Sequence, residues 1–521
     1  MLQDCPWAVK RWLPHFPLVA RASKIRREMG QVSTTPGGRP EGRRAALAVL
    51  AVLALAAAVR GPDLLSRALN YEEALCWFYA RIPLRVQWER DIRGPLNYAS
   101  LAPLARLSPR PEPVRLLPFV AGTASTLLPF LVRGLPLGAR AVSAAFLALS
   151  PPLVRQSQDA DGCSLGFLVE GLALVLAMSY ALEGGRWRVV GHGLLSLLAP
   201  QVHAAFLWGL LGRAALFALL FRRSRRARAL LASCLPGIAG AALSLLIFKP
   251  PPLRGGGARA AAALLLVLVE PTTGFATSLR DLAWAQALWL LAVPALLLAA
   301  IGGMGLWRRG FWGRIPVAAG LSAALLFVGA VWARGLPPLA RYLLPLCLPF
   351  SLCLGAGVGV LPTRATARLL VPVFAAQAFG CAAYLARPYY GVDWREAARA
   401  LERSVGPGEA VVLHPPSAGL MLRHYLGRRL DLRPRGLHWF TAKGFFVGPE
   451  GRPFEPDWRR EVLRASEGRR AVWVLLWSLN PTRPRPPRRL DGLELDRLIP
   501  VRGYAESAVL ARYRPTRRGG R

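Results

Sequence analysis

The stretch AALAVLAVLALAAAV (residues 45–59) has no polar side chain, and two adjacent carboxylates, Glu72 and Glu73, follow it in the sequence. A helix needs about 20 mostly apolar residues to cross the hydrocarbon core of a bilayer, and apolar runs of comparable length recur along the chain. Hydrophobic residues make up 53% of the 521 residues. The sequence therefore predicts an α-helical, polytopic membrane protein.

The net charge of +38 needs its own explanation, because a strongly basic chain can also bind nucleic acid. The arginines cluster in short stretches between the apolar runs, where the orientation rule of membrane proteins places cytoplasmic loops. Such loops face the anionic headgroups of the inner leaflet. We therefore expect membrane lipid, and no nucleic acid, as the partner of these arginines.

Eleven apolar runs are candidate membrane spans. They lie near residues 45–60, 115–133, 138–154, 164–182, 188–202, 204–221, 228–248, 283–303, 315–333, 341–361 and 367–386. Residues 1–44 are basic and contain no apolar segment of the signal-peptide type, so we interpret them as a disordered cytoplasmic tail. The transmembrane domain is then expected over residues 45–387.

The basic loops and the odd number of spans indicate the same orientation. The loops FRRSRRARA (221–229), LWRRGFWGR (306–314) and PTRATAR (362–368) fall on the same side as the basic N-terminal tail. The chain after the last span then lies outside the cytoplasm. Residues 388–521 contain one amphipathic helical pattern and three strand-like apolar segments, which predicts a small extracytoplasmic α/β domain.

The acidic pair lies just beyond the end of the first span, in a predicted outer loop. Two adjacent anions repel each other, so such a pair usually holds a cation or contains one carboxyl with a raised pKa that is ready to take a proton. A solvated acidic turn is the alternative for an isolated pair. Three further segments in or beside the outer loops weaken that alternative: DIRGPLNY (91–98), SPPLVRQSQDAD (150–161) and ARYLLPLCLPF (340–350).

In this order and topology, the acidic pair and the three segments resemble the GT-C membrane glycosyltransferases, specifically the protein mannosyltransferase and aminoarabinose transferase-like group. The resemblance covers roughly residues 45–425. Five positions depart from the pattern of that group. They are Glu72 in place of Asp, Arg93 in place of His, Gly94 in place of Pro, Asp159 in place of Glu and Asp161 in place of Arg.

The resemblance implies that a sugar moves from a polyprenyl-phosphate carrier to the hydroxyl of a protein, lipid or glycan acceptor. The transfer would invert the anomeric carbon and take place at the outer face of a bacterial cytoplasmic (inner) membrane. Glu72 would be the general base, because a hydroxyl is a weak nucleophile until a carboxylate takes its proton. Glu73 or Asp91 would be a second acid that orients the acceptor. A divalent cation could be the cofactor, with Glu72 and Glu73 as its ligands.

The growing negative charge on the leaving phosphate needs a cation nearby. We expect Arg341, where the group it resembles keeps an arginine, and Arg93 to take this role, with Tyr342 as a further donor-binding residue. Three other residues are expected to line the substrate loops: Gln158, Asp159 and His203. For His203 a structural role is the alternative, because a single His at a helix end is often only a hydrogen-bonded structural residue.

Two other functions stay open on the sequence alone. A flippase or other transporter of lipid-linked sugars would also need many spans, but its polar residues should lie at mid-membrane on broken helices. Glu170 is the main acidic residue inside a predicted span. A catalytically inactive relative that only binds a partner is the third interpretation.

The cysteines carry no metal or redox motif, because none of the seven forms a CxxC pair. Cys76 and Cys163 fall in loops predicted on the same side of the membrane. They could form a disulfide, or they could be two unrelated small residues.

Overall fold

The computed structural model describes most of the chain from residue 39 to residue 516. The residues left out within that range are 68–69, 83–94, 109, 223, 248–281, 335–339, 387–390, 416–417, 427–429, 431, 434–438, 441–445, 448–457, 479–483 and 502–506. Most of the predicted N-terminal tail and the candidate residues Asp91 and Arg93 therefore lie outside the described residues.

The predicted spans form α-helices. The helices that precede the soluble domain in the described part of the chain are α1 (Arg39–Arg60), α2 (Tyr71–Ala80), α3 (Pro95–Leu107), α4 (Leu116–Ser125), α5 (Leu137–Ala148), α6 (Pro151–Gln158), α7 (Cys163–Glu183), α8 (Arg186–Val202), α9 (Leu207–Leu219), α10 (Arg225–Ile247), α11 (Leu282–Arg308), α12 (Phe311–Arg334), α13 (Leu344–Val358) and α14 (Thr363–Leu385). Short 3-10 turns lie at Glu112–Arg115, Leu128–Leu131, Ala204–Phe206 and Ala340–Leu343. Each predicted run coincides with one helix or with two helical segments separated by a short break.

Length and hydropathy identify the helices that can cross a bilayer. Within the described residues, five meet both requirements: Gly42–Arg60, Cys163–Glu183, Phe311–Gly329, Arg341–Val358 and Thr363–Leu385. A sixth is present if α5 and α6, which are bent by 55° relative to each other, form one span. The chain is a multi-pass membrane protein, while the number of eleven spans stays a prediction.

A buried arginine stabilises the break between α5 and α6. Two prolines open α6 and have no N–H to donate, so the carbonyls of Leu147 and Ala148 lack the donors four residues on that a continuous helix would supply. Arg60, which is fully buried, donates from Nη1 to the carbonyl of Ala148 at 2.7 Å and from Nη2 to that of Leu147 at 3.0 Å. Its Nε donates to Ser157 Oγ in α6 at 3.0 Å. The end of α1 is thereby attached to both segments of the bent pair.

The main acidic residue inside the membrane is paired with an arginine. Glu170 lies within the continuous helix α7 and forms a buried salt bridge with Arg213 of α9. Gly209 makes room for this pair, because a Cβ there would lie 2.2 Å from Glu170 Oε1. Arg213 Nη2 also donates to Ser196 Oγ in α8 at 3.3 Å. Glu170 therefore joins three helices, and it does not lie on a broken helix of the kind that transporters use.

The soluble domain contains a six-stranded mixed sheet. The strands in chain order are β1 (Ala410–His414), β2 (Leu432–Arg433), β3 (Trp439–Phe440), β4 (Phe446–Val447), β5 (Val472–Ser478), β6 (Arg489–Leu490), β7 (Leu493–Val501) and β8 (Ser507–Pro515). The sheet order is β2-β1-β5-β8-β7-β6, and β3 pairs separately with β4. Strands β2, β1 and β5 are parallel, whereas β8, β7 and β6 continue the sheet antiparallel. This is the α/β class that the sequence predicts, and the boundary at residue 388 stays a prediction.

Helices cover both faces of this sheet. They are α15 (Trp394–Ser404), α16 (Ala418–Leu426) and α17 (Trp458–Ser466). Successive side chains of a strand point to opposite faces. Val411 of β1 accordingly packs in one apolar cluster with Trp394 of α15, while Val412 packs in another with Val462 of α17.

The soluble domain also contacts the helix that carries the acidic pair. Ala74 of α2 belongs to the same apolar cluster as Met421 and Leu422 of α16. Beside this contact, His424 Nε2 lies 3.4 Å from Glu112 Oε1 in the first 3-10 turn. One face of α2 is therefore fixed by the soluble domain.

Candidate functional site

Helix α2 begins at the sequence NYEE (70–73), which forms an N-terminal capping box. Asn70 Oδ1 accepts a hydrogen bond from the Glu73 N–H at 2.8 Å, and Glu73 Oε2 accepts one from the Asn70 N–H at 2.9 Å. The box fixes the residue at which the helix starts. Because a helix turns by about 100° per residue, Glu72 and Glu73 must point in different directions.

Glu73 points into the protein and is bound by Arg115. Arg115 Nε and Nη2 donate to its two carboxylate oxygens at 2.5 and 2.7 Å, and both side chains are 1% exposed. Arg115 Nη1 also donates to the carbonyls of Leu64 and Arg67, at 2.9 and 3.0 Å. A buried ion pair needs such a fully hydrogen-bonded, two-point geometry. The Glu73 pair therefore attaches the start of α2 to the segment that follows α1.

Glu72 points away from Arg115 and contacts Arg341. Arg341 Nη1 lies 2.6 Å from Oε1 and 2.5 Å from Oε2 of the carboxylate, and the side chains of Glu72 and Arg341 are 47% and 25% exposed. Loss of water around the carboxylate opposes its ionisation, but the guanidinium of Arg341 outweighs this and lowers the pKa of Glu72 below its ordinary value. Two residues that the sequence places in separate roles, base and phosphate ligand, thus form one ion pair.

Tyr342 and His203 lie beside this pair. The Tyr342 ring centroid is 6.5 Å from that of His203, and the Arg341 guanidinium carbon is 6.0 Å from the Tyr342 centroid. His203 Nδ1 accepts a hydrogen bond from the Ala205 N–H at 3.2 Å, which is the structural role considered for a His at a helix end. Partial burial, together with the positive charge of Arg341, lowers the pKa of His203 to about 4. The imidazole is therefore neutral at pH 7.

Two further carboxylates, Asp159 and Asp161, lie in the turn between α6 and α7. Gly162 closes this turn with φ +80°, and a Cβ there would lie 2.6 Å from the side-chain Cγ of Asn97. Asp161 Oδ1 accepts from the Cys163 N–H at 3.0 Å. Asn70 Nδ2 donates to Asp159 Oδ1 at 3.3 Å, so the turn is attached to the start of α2.

The environment of this turn favours protonated carboxyls. Burial, together with the negative charges of Glu73 and Asp161, raises the pKa of Asp159 to about 7 against the opposing effect of Arg155. Burial and the charge of Glu72 raise the pKa of Asp161 to about 6. Both residues are 9% exposed. These two groups therefore change charge near neutral pH.

The hydrogen bonds of Gln158 are those of a structural residue. Its Nε2 donates to the carbonyls of Arg60 and Pro62, at 2.8 and 3.0 Å, and its side chain is buried. The amide thus holds the end of α6 against the end of α1. The structure does not bring Gln158 to the Glu72–Arg341 pair, which differs from the substrate contact expected from the sequence.

Cys76 and Cys163 are both free and buried. The structure therefore agrees with the interpretation of these cysteines as two unrelated small residues. Asn97 Nδ2 lies 3.7 Å from Cys76 Sγ. A disulfide is therefore not the reason for these two cysteines.

The described part of the chain does not bring the expected metal ligands together. Among the described residues, no three His, Cys, Asp or Glu side chains are close enough to hold a metal ion. The expected ligands Glu72 and Glu73 are bound by two different arginines and point in different directions. A divalent cation therefore stays a prediction, and the described residues give Glu72 and Glu73 no shared site for one.

An apolar cavity of about 580 Å³ lies between α11, α12 and α13. Its lining includes Trp307, Gly320, Phe350 and Leu346. Leu346 belongs to the same span, Arg341–Val358, whose first residue pairs with Glu72. The cavity thus occupies the membrane part of the protein on the element that carries Arg341.

Sequence reasoning missed Arg115 and treated Asp161 only as a departure from the pattern. Arg115 opens an apolar run that follows the acidic pair, and a buried carboxylate needs a cation. The sequence did offer a signal: Arg115 stands at the start of a predicted span, at the end of the same loop that carries the two glutamates.

Comparisons with known proteins identify the fold. No family model matches the sequence, and no curated protein matches it. The structure of ArnT from Cupriavidus metallidurans in the apo state aligns with a TM-score of 0.58 at 13% sequence identity, over 90% of this chain and 98% of that chain. ArnT bound to undecaprenyl phosphate aligns with a TM-score of 0.51 at 14% identity, over 89% and 97%.

A third solved structure is that of a longer protein. The archaeal oligosaccharyltransferase AglB from Archaeoglobus fulgidus, in complex with an inhibitory peptide and a dolichol-phosphate, has a TM-score of 0.52 at 12% identity, over 85% of this chain and 70% of that chain. ArnT and AglB both belong to the GT-C superfamily. The resemblance stated from the four sequence segments is thereby confirmed at the level of the fold, which this chain shares with ArnT and AglB.

Proposed function

We propose that this chain is an integral-membrane glycosyltransferase that moves a sugar from a polyprenyl-phosphate carrier to an acceptor hydroxyl. The observation that carries the proposal is the Glu72–Arg341 contact. It brings a partly exposed carboxylate and a partly exposed guanidinium to one point at the start of a membrane span. These are the two charged groups that the transfer needs, a base for the hydroxyl proton and a cation for the leaving phosphate.

The reaction exchanges one bond for another. The acceptor oxygen attacks the anomeric carbon of the sugar, the bond from that carbon to the phosphate oxygen breaks, and the hydroxyl proton passes to Glu72. The electron pair of the broken bond stays on the polyprenyl phosphate, where Arg341 stabilises the charge. Attack from the side opposite to the phosphate inverts the anomeric carbon.

The other candidate residues take supporting roles in this proposal. Tyr342 and the neutral His203 form the wall beside Arg341. Asp159 holds the turn before α7 against Asn70. Asp91 is proposed as the second acid and Arg93 as a second phosphate ligand, because of their places in the sequence. Glu73, which is bound by Arg115, has a structural role instead.

The apolar cavity supports a lipid-linked donor. A polyprenyl chain is hydrocarbon, and a cavity lined by Trp307, Phe350 and Leu346 offers it apolar contacts within the membrane. The ArnT structure bound to undecaprenyl phosphate and the AglB structure with a dolichol-phosphate and an inhibitory peptide show proteins of this fold with such ligands. A polyprenyl-phosphate sugar is therefore the donor that we propose.

We place the site and the soluble domain on the extracytoplasmic face of a bacterial cytoplasmic membrane. The support is the odd number of predicted spans together with three basic loops on the opposite side. Ser66 is exposed and lies in the segment before α2. A cysteine placed there should react with a membrane-impermeant thiol reagent in intact cells, and protection until lysis would contradict this orientation.

Transfer is tested with the purified protein in vesicles that contain a polyprenyl-phosphate donor with a radiolabelled sugar. Candidate acceptors are offered as protein, lipid and glycan extracts. We expect label to move covalently to one acceptor class, with the anomeric configuration of the product opposite to that of the donor. Movement of intact donor across the bilayer without transfer would support the transporter interpretation instead.

A further inference from the structure

We propose that Glu72 and the donor phosphate compete for Arg341, so that the base becomes free only when the donor is bound. The inference rests on the proposed function, because it takes Glu72 as the base and Arg341 as the phosphate ligand. It goes further by assigning an order: the donor binds first, and its phosphate displaces Glu72 from the guanidinium.

The geometry of the pair carries this inference. A single nitrogen, Arg341 Nη1, contacts both carboxylate oxygens of Glu72. A phosphate bound through two parallel hydrogen bonds to the same guanidinium would have to use this nitrogen or one next to it. A phosphate on the Nη1–Nη2 edge therefore competes directly with Glu72 for Nη1, and a phosphate on the Nε–Nη2 edge would place a second anion beside the carboxylate, where the two negative charges repel each other.

Glu72 is also the glutamate that can move. In the described part of the chain, its carboxylate has hydrogen bonds only with Arg341, and its side chain is 47% exposed. An ion pair with this exposure is weak because water screens the two charges, so a phosphate can replace the carboxylate. Glu73 cannot exchange in this way, because Arg115 and the Asn70 N–H bind its oxygens in a buried site.

The exchange has a consequence for the chemistry. While Arg341 holds Glu72, the carboxylate is a weak base, and an acceptor or water molecule near it is not activated. Binding of the phosphate removes the guanidinium from Glu72 and makes it available for the hydroxyl proton. Hydrolysis of the donor is limited in this way, because activation of a nucleophile follows donor binding.

The test measures the affinity of the full-length protein for a long-chain polyprenyl phosphate in detergent, without any turnover. Glu72→Gln removes the competing charge and keeps the shape of the side chain. We expect it to bind the probe about 3- to 10-fold tighter than the unmodified chain. The gain should disappear in the Arg341→Met background, because no guanidinium is left to compete for.

Two controls separate this effect from a general change of charge. Glu183→Gln removes an acid that is 29% exposed and paired with Arg188 at the far end of α7, and it should leave the affinity unchanged. The uncharged polyprenyl alcohol should bind Glu72→Gln and the unmodified chain equally.

The outcomes distinguish the inference from the function on which it rests. Equal or weaker binding of polyprenyl phosphate by Glu72→Gln would overturn the competition and leave the glycosyltransferase proposal in place. No binding of polyprenyl phosphate by the unmodified chain would overturn the donor assignment, and the competition with it. Tighter binding that persists with Arg341→Met would assign the effect to another cation and so refute the exchange at Arg341.

Discussion

Glu72 and Glu73 are adjacent and chemically identical, yet the fold places them in opposite environments. Glu73 is 1% exposed and is bound by two nitrogens of Arg115, whereas Glu72 is 47% exposed and is held by one nitrogen of Arg341. The capping box decides which glutamate faces which side, because it fixes the start of α2. The comparison teaches that the role of a carboxylate here depends on its tertiary partner.

The two pairs also differ in what it costs to break them. Removing one partner of a buried ion pair leaves an uncompensated charge and costs about 3–5 kcal/mol. A partly exposed pair contributes about 0–1 kcal/mol. The Glu73–Arg115 pair is therefore suited to holding structure, and the Glu72–Arg341 pair is suited to exchanging partners during a reaction.

The largest expected effect separates the two glutamates by activity. Glu72→Gln should lower the rate of sugar transfer by about 100- to 10,000-fold, because the general base is lost, while the melting temperature stays close to that of the unmodified chain. Transfer assays and thermal unfolding of the same preparations measure both quantities. Full activity in Glu72→Gln would move the base to another carboxylate, with Asp91 as the next candidate.

The second effect should appear in stability. Arg115→Met leaves the Glu73 carboxylate buried without its cation, so we expect a loss of about 3–5 kcal/mol in the free energy of unfolding, measured by denaturant titration in micelles. The double variant Arg115→Met with Glu73→Leu should recover most of this loss, because no charge then remains buried. If Arg115→Met alone is as stable as the unmodified chain, the structural role of this pair is wrong.

The fold was largely predictable from the sequence because apolar runs of helical length must satisfy their own backbone in lipid. The predicted runs coincide with helices for that reason, and β1, β5 and β8 lie where apolar, strand-like segments were recognised. The breaks were harder to predict. The interruption between α5 and α6 depends on Arg60, which is distant in sequence and satisfies the open carbonyls.

The sequence predicts candidate members of the site but not the contacts between them. Glu72 and Arg341 were both selected, yet their pairing joins two segments far apart in the chain and follows only from the packing of α2 against the span that begins at Arg341. Arg115 was missed because its partner could be identified only once Glu73 was known to be buried. Gln158 was assigned to the substrate, and its carbonyl contacts explain it as a structural residue.

The third expected effect is on how the stability of the folded chain depends on pH. The pKa values of Asp159 and Asp161, about 7 and about 6, lie above the ordinary value of an aspartate, so the folded chain disfavours their ionised forms. The stabilisation that comes from keeping these two carboxyls protonated in the folded chain is fully present below about pH 4, and it is lost as the pH rises through about 6–7. Asp159→Asn should remove part of this dependence and add about 1–3 kcal/mol at pH 8 relative to the unmodified chain.

Unfolding titrations between pH 4 and pH 8 measure this difference. Glu183→Gln is the matched control, because it also removes one acid but lies away from the turn before α7. Parallel stability curves for Asp159→Asn and the unmodified chain would contradict the assignment of the titration to this turn.

The smallest expected effect concerns the guanidinium of Arg341. Lysine at this position keeps the positive charge, so it can still pair with the half-exposed Glu72 carboxylate, and expression and membrane insertion should be unchanged. An ammonium is a point charge that cannot reproduce two parallel hydrogen bonds to a phosphate. We therefore expect Arg341→Lys to weaken the binding of a polyprenyl-phosphate donor by about 10-fold, a difference of about 1.4 kcal/mol, with little change in the melting temperature.

Donor titrations with Arg341→Lys and with Arg188→Lys, which alters the Glu183 pair at the far end of α7, provide the comparison. Unchanged donor affinity in Arg341→Lys would reduce Arg341 to an interfacial anchor and leave the Glu72 pair without a role in phosphate recognition.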